Sequence, residues 1–269
     1  MNAGAALAEV DLERRFGGLR RLYGDAGYAA VRAARVAVVG LGGVGSWAAE
    51  ALARSGVARL VLIDLDHVAE SNVNRQVQAL GRTLGQAKAA ALVERFADIH
   101  PGCELLPVEE FATPANWPGL LPAPVDVVID ACDQAAAKLH LATWALASGT
   151  PLVLAGAAGG KQRAQAVEVD DLAAATHDPL LAGLRQRLRK AGAAPREGAM
   201  GLRAVFSREP VRRPDAACEG GPAGDGSLNC HGYGSSVTVT ASFGFVAAGE
   251  ALRLLMERHS AQAPRGAVL

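Results

Sequence analysis

The feature that narrows the fold most is a β-branched run that breaks on glycine and resumes as a helix. Arg35–Val39 (RVAVV) is followed at once by GLGGVG, then by an alanine-rich stretch through Arg54, then by RLVLID ending at Asp64. The two apolar runs read as strands and the alanine-rich stretch between them as a helix. Gly40, Gly42 and Gly45 form GxGxxG at the turn, with Gly43 inside it. Without a Cβ, glycine lets the backbone turn tightly and lets a phosphate chain approach the unpaired N–H groups of the helix start. Asp64 stands 19 residues beyond Gly45, where a carboxylate can accept hydrogen bonds from ribose hydroxyls. This unit points to a nucleotide, and NAD is the default choice on it alone.

The pattern continues downstream. Residues 86–100 carry apolar positions at helical spacing, Glu104–Val108 and 126–130 read as third and fourth strands, a helix runs through Ser148, and 151–156 (PLVLAG) reads as a fifth strand. Strands alternating with helices predict an α/β fold of Rossmann type, with a doubly wound, mainly parallel sheet. Beyond about residue 157 the pattern loosens. Residues 178–190 read as helix, 192–201 as Gly/Pro/Ala punctuation, 205–229 as a loop or mobile crossover, and 236–255 as a buried strand-to-helix segment. The expected organisation is an N-terminal helical arm (1–33), a nucleotide-binding core (34–157) and a loop-rich C-terminal elaboration (158–269), all within one domain. At 269 residues, half of them apolar, the chain can bury a substantial core.

Polar residues beside the predicted strand ends change the choice of nucleotide. Asp66 follows Asp64; Asn72, Asn74, Arg75 and Gln76 come in SNVNRQ; Lys88 lies in GQAKA; Asp130 and Asp133 close the fourth strand in DACD. A dehydrogenase works at its nicotinamide and needs no such cluster at the phosphates. Attack on an α-phosphate does need it, because charge builds on the phosphoryl oxygens and on the leaving pyrophosphate. Arg75 and Lys88 suit that charge, and Asp133 suits a Mg²⁺ ligand.

These stretches together, VVGLGGVGSWAAEALARSGV, LIDLDHVAESNVNRQ, GQAKA and DxxD, resemble the E1-like, ubiquitin-activating superfamily, which adenylates carboxylates. The resemblance implies ATP and Mg²⁺, with Gly42, Asp64, Asn72, Arg75, Lys88 and Asp133 around the nucleotide; Gly40, Gly43, Gly45, Asp66 and Gln76 complete the expected pocket. It also implies a homodimer in which an N-terminal arginine, Arg15 or Arg21, reaches the partner's γ-phosphate, and a monovalent cation (K⁺ or Na⁺) in the loops. Members that activate the tail of a small carrier protein usually bear two CxxC pairs for zinc. Here Cys103, Cys132, Cys218 and Cys230 include no CxxC spacing.

The second half is more specific. RFGGLRRLYG, AGGKQRAQAVEVDDLAAATHDPLLAGLRQRLRK, VFSREP and NCHGYGSSVTVTASFGFVAA resemble the tRNA threonylcarbamoyladenosine dehydratase branch of that superfamily. The resemblance implies a modified tRNA base as substrate, activation of its threonyl carboxylate by ATP, and ring closure with loss of water. It also brings in a cysteine desulfurase or sulfur-acceptor system as a partner. Residues 185–213 hold nine basic side chains against two acidic ones in a chain whose 27 basic and 27 acidic residues balance overall. Such a local excess suits a phosphate backbone, and Arg185, Arg187, Arg189 and Lys190 are the expected tRNA contacts. Its bland counterpart is a solvated helix face.

Cys230, in NCHGYGSS beside His231, stands where that branch has a reactive cysteine; an acyl adenylate attacked directly by the base's own urea nitrogen would not require it. Cys132 reads as a packing residue or as part of the adenine pocket, and Lys161 as facing either the activated carboxylate or solvent. Cys103 and Cys218 read as incidental, and His140 and His177 as non-catalytic helix residues. The N-terminal stretch lacks the apolar core of a signal peptide and the apolar 236–256 stretch is broken by polar residues, so the expected compartment is the cytoplasm. Three other readings stay open: a carrier-protein activating enzyme, an NAD-dependent oxidoreductase and a non-catalytic nucleotide sensor.

Overall fold

The computed structural model describes residues 10–212 and 233–262. Within them, α1 (Leu12–Ala33), β1 (Arg35–Val39), α2 (Gly45–Arg54), β2 (Arg59–Ile63), α3 (Lys88–Ile99), β3 (Glu104–Val108), β4 (Val127–Asp130), α4 (Ala135–Ser148), β5 (Leu152–Ala155), β6 (Val167–Asp171), α5 (Pro179–Lys190), β7 (Arg203–Ser207) and α6 (Val237–Gln262) follow in order. The strands form one seven-stranded sheet ordered β3-β2-β1-β4-β5-β7-β6, with only β6 antiparallel.

The apolar runs explain this layout. Residues 36–39, 60–63, 127–130 and 152–155 are buried throughout, as strands covered on both faces must be. Alternate residues serve opposite faces. Val36, Val38, Leu60, Leu62 and Ile129 pack with α2, α3 and α6 through Leu52, Phe96 and Phe243. Ala37, Val39, Val61, Ile63 and Val128 pack with α4 and α5 through Leu141, Leu181 and Leu184. Helices therefore cover both faces of a mainly parallel sheet, and the Rossmann-type expectation holds.

Two expectations for the second half need correction. The 205–229 stretch does not begin as loop, because residues 205–207 belong to β7, paired with β5 and β6. The C-terminal elaboration thus supplies two strands of the central sheet. No strand opens the 236–255 segment; α6 is helical from Val237. Gly244 lets α6 lie against α2 so closely that a Cβ there would fall 2.5 Å from the carbonyl oxygen of Val44. Among the described residues α6 alone is long and apolar enough to cross a membrane, but 61% of its apolar window is buried inside the fold. It is a core helix.

Candidate active site

A cleft opens at the carboxyl ends of β1, β2, β4 and β5, where strand order reverses between β1 and β4, the position where open α/β sheets bind ligands. It encloses about 1120 Å³ of empty space, open mouth included. The glycine loop forms its floor. Gly40 has φ 85°, and a Cβ there would sit 2.8 Å from the Cys132 amide nitrogen. Gly42 faces open space, so a ligand can approach its backbone. The start of α2 has no side-chain cap, although the Ser46 N–H bonds the Gly42 carbonyl at 3.1 Å; a helix start of this kind suits an anion.

Charged groups converge from separate elements. Buried Asp64, just past β2, accepts N–H bonds from Leu41 (2.6 Å) and Asp66 (2.9 Å). Burial pushes its carboxyl pKa up, against the pull of Lys88. Lys88, the first residue of α3, donates from Nζ to Asp66 Oδ2 at 2.7 Å and lies 4.0 Å from Asp64 Oδ1. Arg75 is half-buried, and desolvation lowers its pKa. Its Nη1 donates to Ser71 O (2.7 Å) and Asn74 Oδ1 (3.0 Å), while its carbonyl accepts the Trp47 indole N–H (2.9 Å). Gln76 and Asp133 complete the polar lining.

Gly40, Gly42, Gly43, Asp64, Asp66, Arg75, Gln76, Lys88 and Asp133 therefore meet on one cleft. Gly45 and Asn72 do not line it. A Cβ at Gly45 would fall 1.8 Å from Gly40 O, so this glycine closes the loop on itself. Asn72 is buried and its Oδ1 accepts the Ala69 N–H at 3.0 Å, pinning the turn that carries Arg75. Cys218, Cys230, His231 and Arg213 lie outside the described residues.

The basic segment is less free than its sequence suggests. Arg185 donates to the carbonyls of Leu172 and Ala175, Arg203 pairs with Glu250, and Arg208 with Glu168. Arg187, Lys190 and Arg196 remain exposed, while Arg189 is half-buried. Lys161 faces neither solvent nor the cleft; it is 2% exposed and bonded to backbone carbonyls. His177 precedes α5 at φ 58° rather than lying within a helix. Cys132 lines the cleft, and its thiol donates to Asp130 Oδ1 at 2.9 Å. Burial holds that thiol well above its ordinary pKa, so it stays protonated.

Sequence reasoning missed Lys138. Fully buried on α4, it pairs with Asp130 Oδ1 at 3.0 Å and donates to the carbonyls of Asp130 and Ala155. It thereby ties the exits of β4 and β5, which carry the Ala131–Asp133 and Gly156–Gly159 walls of the cleft. The available signal was a lone charge in an otherwise apolar helix. Glu110, Phe111, Tyr233 and Thr240 also line the cleft from elements that local pattern does not connect to it.

A Rossmann-type sheet whose glycine loop faces arginine, lysine and aspartate defines a nucleotide-using α/β protein, and the chain belongs to the ThiF family, whose model matches residues 15–268. It is 39% identical over 257 residues to the tRNA threonylcarbamoyladenosine dehydratase of Escherichia coli, covering 93% of this chain and 96% of that protein. It is 36% identical over 259 residues to the Haemophilus influenzae protein of the same name, covering 94% and 98%. The crystal structure of the E. coli dehydratase in complex with ATP superposes with a TM-score of 0.85 at 38% identity, covering 96% of this chain and all of that one.

Proposed function

We propose that this chain is an ATP-dependent tRNA threonylcarbamoyladenosine dehydratase, which adenylates the threonyl carboxylate of the modified base and closes it to the cyclic form. One observation carries the reading: Arg75, Lys88 and Asp133 converge from three elements on a glycine-floored cleft, in a chain similar over nearly its whole length to such dehydratases.

The chemistry follows from charge. A carboxylate oxygen attacks the α-phosphorus, pyrophosphate leaves, and the acyl adenylate is then attacked by a urea nitrogen of the same base, releasing AMP. The α-phosphoryl oxygens and pyrophosphate gain charge in the first step, and Arg75 and Lys88 meet it inside a partly desolvated cleft. Asp64, at the end of β2, suits the ribose hydroxyls. Asp133 fits as a Mg²⁺ ligand. It lines the cleft just ahead of α4, and an ion there would be held by one or two carboxylates plus substrate phosphates. When bound, Mg²⁺ neutralises phosphate charge.

The working form in this reading is a cytoplasmic homodimer. Val73, Val237 and Phe245 are large apolar residues exposed by 51%, 38% and 50%, and Asn74 bonds the Ser235 carbonyl so that two of their segments adjoin. Arg21 is exposed, whereas Arg15 is spent on the carbonyls of Asp98 and Ile99 at the end of α3; Arg21 is the better reach toward a partner's ATP. Exposed Arg187, Lys190 and Arg196 then serve the tRNA backbone. The test is ATP–pyrophosphate exchange. Exchange that depends on threonylcarbamoyl-modified tRNA, and not on unmodified tRNA, supports the reading. Exchange driven by a carrier-protein tail instead would overturn it.

A further inference from the structure

The environment of Lys161 differs from that of an ordinary buried lysine. Its Nζ donates three hydrogen bonds, to the carbonyl oxygens of His177 (3.1 Å), Ser207 (3.0 Å) and Glu209 (2.8 Å). Those carbonyls belong to two separate stretches, the turn ahead of α5 and the exit of β7. All three ammonium donors are thus used, and every acceptor is a neutral carbonyl. The nearby carboxylates are occupied with backbone. Asp178 accepts from Ala157 N (2.7 Å) and Leu181 N (3.0 Å), and Glu209 Oε2 accepts from Gln162 N (3.0 Å) and Arg163 N (2.9 Å). Convergent carbonyl oxygens are what replaces the hydration shell of a potassium ion, and an ammonium group satisfies the same cage.

The cage sits where the cleft wall meets the rest of the fold. Gly156, Ala157, Ala158 and Gly159 line the cleft just before it. Gly160 donates its N–H to Gly234 O and accepts the Arg212 N–H, both at 2.8 Å. A Cβ at Gly160 would come within 2.8 Å of Arg212 O, so these strands of chain are already in close contact. Glu209 both receives Lys161 on its carbonyl and grips the two residues after it with its carboxylate. Burial lowers the Lys161 pKa, and the charges of Asp178 and Glu209 oppose that fall.

We propose that the carbonyls of His177, Ser207 and Glu209 form a monovalent-cation cage that this chain fills with its own Lys161 ammonium, and that this built-in cation positions the 156–160 cleft wall against residues 207–212 and 233–234. Lys161 is a positioning residue here, with no contact to the reacting atoms. The inference goes beyond the proposed activity, because it holds whichever carboxylate is activated.

The test uses two variants of the full chain in choline chloride, with ammonium, potassium or sodium chloride added at constant ionic strength. Lys161→Ala leaves room for an external cation, and Lys161→Met fills the volume without charge. Melting temperature and the kcat and KM of ATP turnover are read for each. Both variants are expected to melt below the wild type in choline and to lose about tenfold to a hundredfold in kcat, as loss of positioning does. Ammonium or potassium is expected to raise the melting temperature and kcat of Lys161→Ala well beyond any change in Lys161→Met or the wild type. A Lys161→Met variant that behaves like wild type would reduce the lysine to packing and overturn the proposal. So would a Lys161→Ala variant that no cation improves. Should Lys161→Ala fold only in ammonium or potassium, that dependence supports the cage; a wild type that gains as much from potassium as Lys161→Ala contradicts it. Melting does not depend on the assigned reaction, so failure of the cage and failure of the dehydratase reading are told apart.

Discussion

Replacing Lys138 by methionine keeps an unbranched side chain one atom shorter and removes the charge. Lys138 and Asp130 are both 0% exposed and 3.0 Å apart. At an effective dielectric near 20, charges at that distance attract by about 5–6 kcal/mol before desolvation is counted. The pair itself contributes far less than this, but breaking it is costly, because Asp130 would be left as a buried carboxylate. Its Oδ2 already has no hydrogen-bond partner, and its Oδ1 would keep only the Cys132 amide and thiol. Removing one member of a buried pair typically costs about 3–5 kcal/mol. For a chain of this size that is a fall of roughly 10 °C in melting temperature. Urea unfolding of the Lys138→Met chain, followed by circular dichroism, measures it. The Lys138→Met, Asp130→Asn double variant is expected to recover at least half the loss, since no charge is then stranded. A single variant that loses less than about 1 kcal/mol, the worth of an exposed pair, would refute the reasoning. So would a double variant as damaged as the single.

Three further outcomes are expected. Arg75→Ala should lower kcat by about 10²–10³, equivalent to about 2.7–4 kcal/mol, with a smaller change in the KM for ATP; steady-state kinetics at saturating tRNA check it, and retained kcat removes Arg75 from the transition state. Asp133→Asn should shift the Mg²⁺ dependence of turnover to much higher concentration, because a neutral amide is a poor Mg²⁺ ligand; an unchanged Mg²⁺ titration dismisses it as a ligand. His100 is fully buried, and burial together with Arg32 and Arg15 pushes its pKa down to about 4 from an unfolded value of 6.5. The fold thus favours the neutral ring. Its contribution is complete above pH 6.5 and is lost as pH falls from 6.5 toward 4, with a slope of up to about 1.4 kcal/mol per pH unit. Calorimetry of wild type and His100→Asn between pH 7 and 5 should show the wild type losing stability more steeply.

The strands of the first half were legible because their signals are local. Each is a short apolar run punctuated by glycine or aspartate, and β1 and β3 span the predicted residues. Gly40, Asp64, Asp66 and Asp133 were legible for the same reason, since they follow strand ends closely. The second half was harder. β6 (VEVDD) is a half-buried edge strand with three acidic residues, and β7 hides between glycine punctuation and an Arg/Pro-rich stretch. Both are strands because they pair with each other and with β5. The Thr/Val-rich start of α6 has strand propensity, overridden by close packing on α2 through Gly244. Long-range ion pairs were invisible too. Arg203 and Glu250 are far apart in sequence, so counting charge in residues 185–213 overstated the free basic surface. Asn72 illustrates the same limit within the site: its Oδ1 caps the turn that carries Arg75, a role that local pattern does not show.

The central claim is that this cleft activates the carboxylate of a modified tRNA base. The most direct measurement is nucleoside mass analysis of threonylcarbamoyl-modified tRNA after incubation with the protein, ATP and Mg²⁺. The account predicts that the modified nucleoside loses one water while AMP and pyrophosphate appear in matching amount. Unchanged nucleoside with untouched ATP would contradict it.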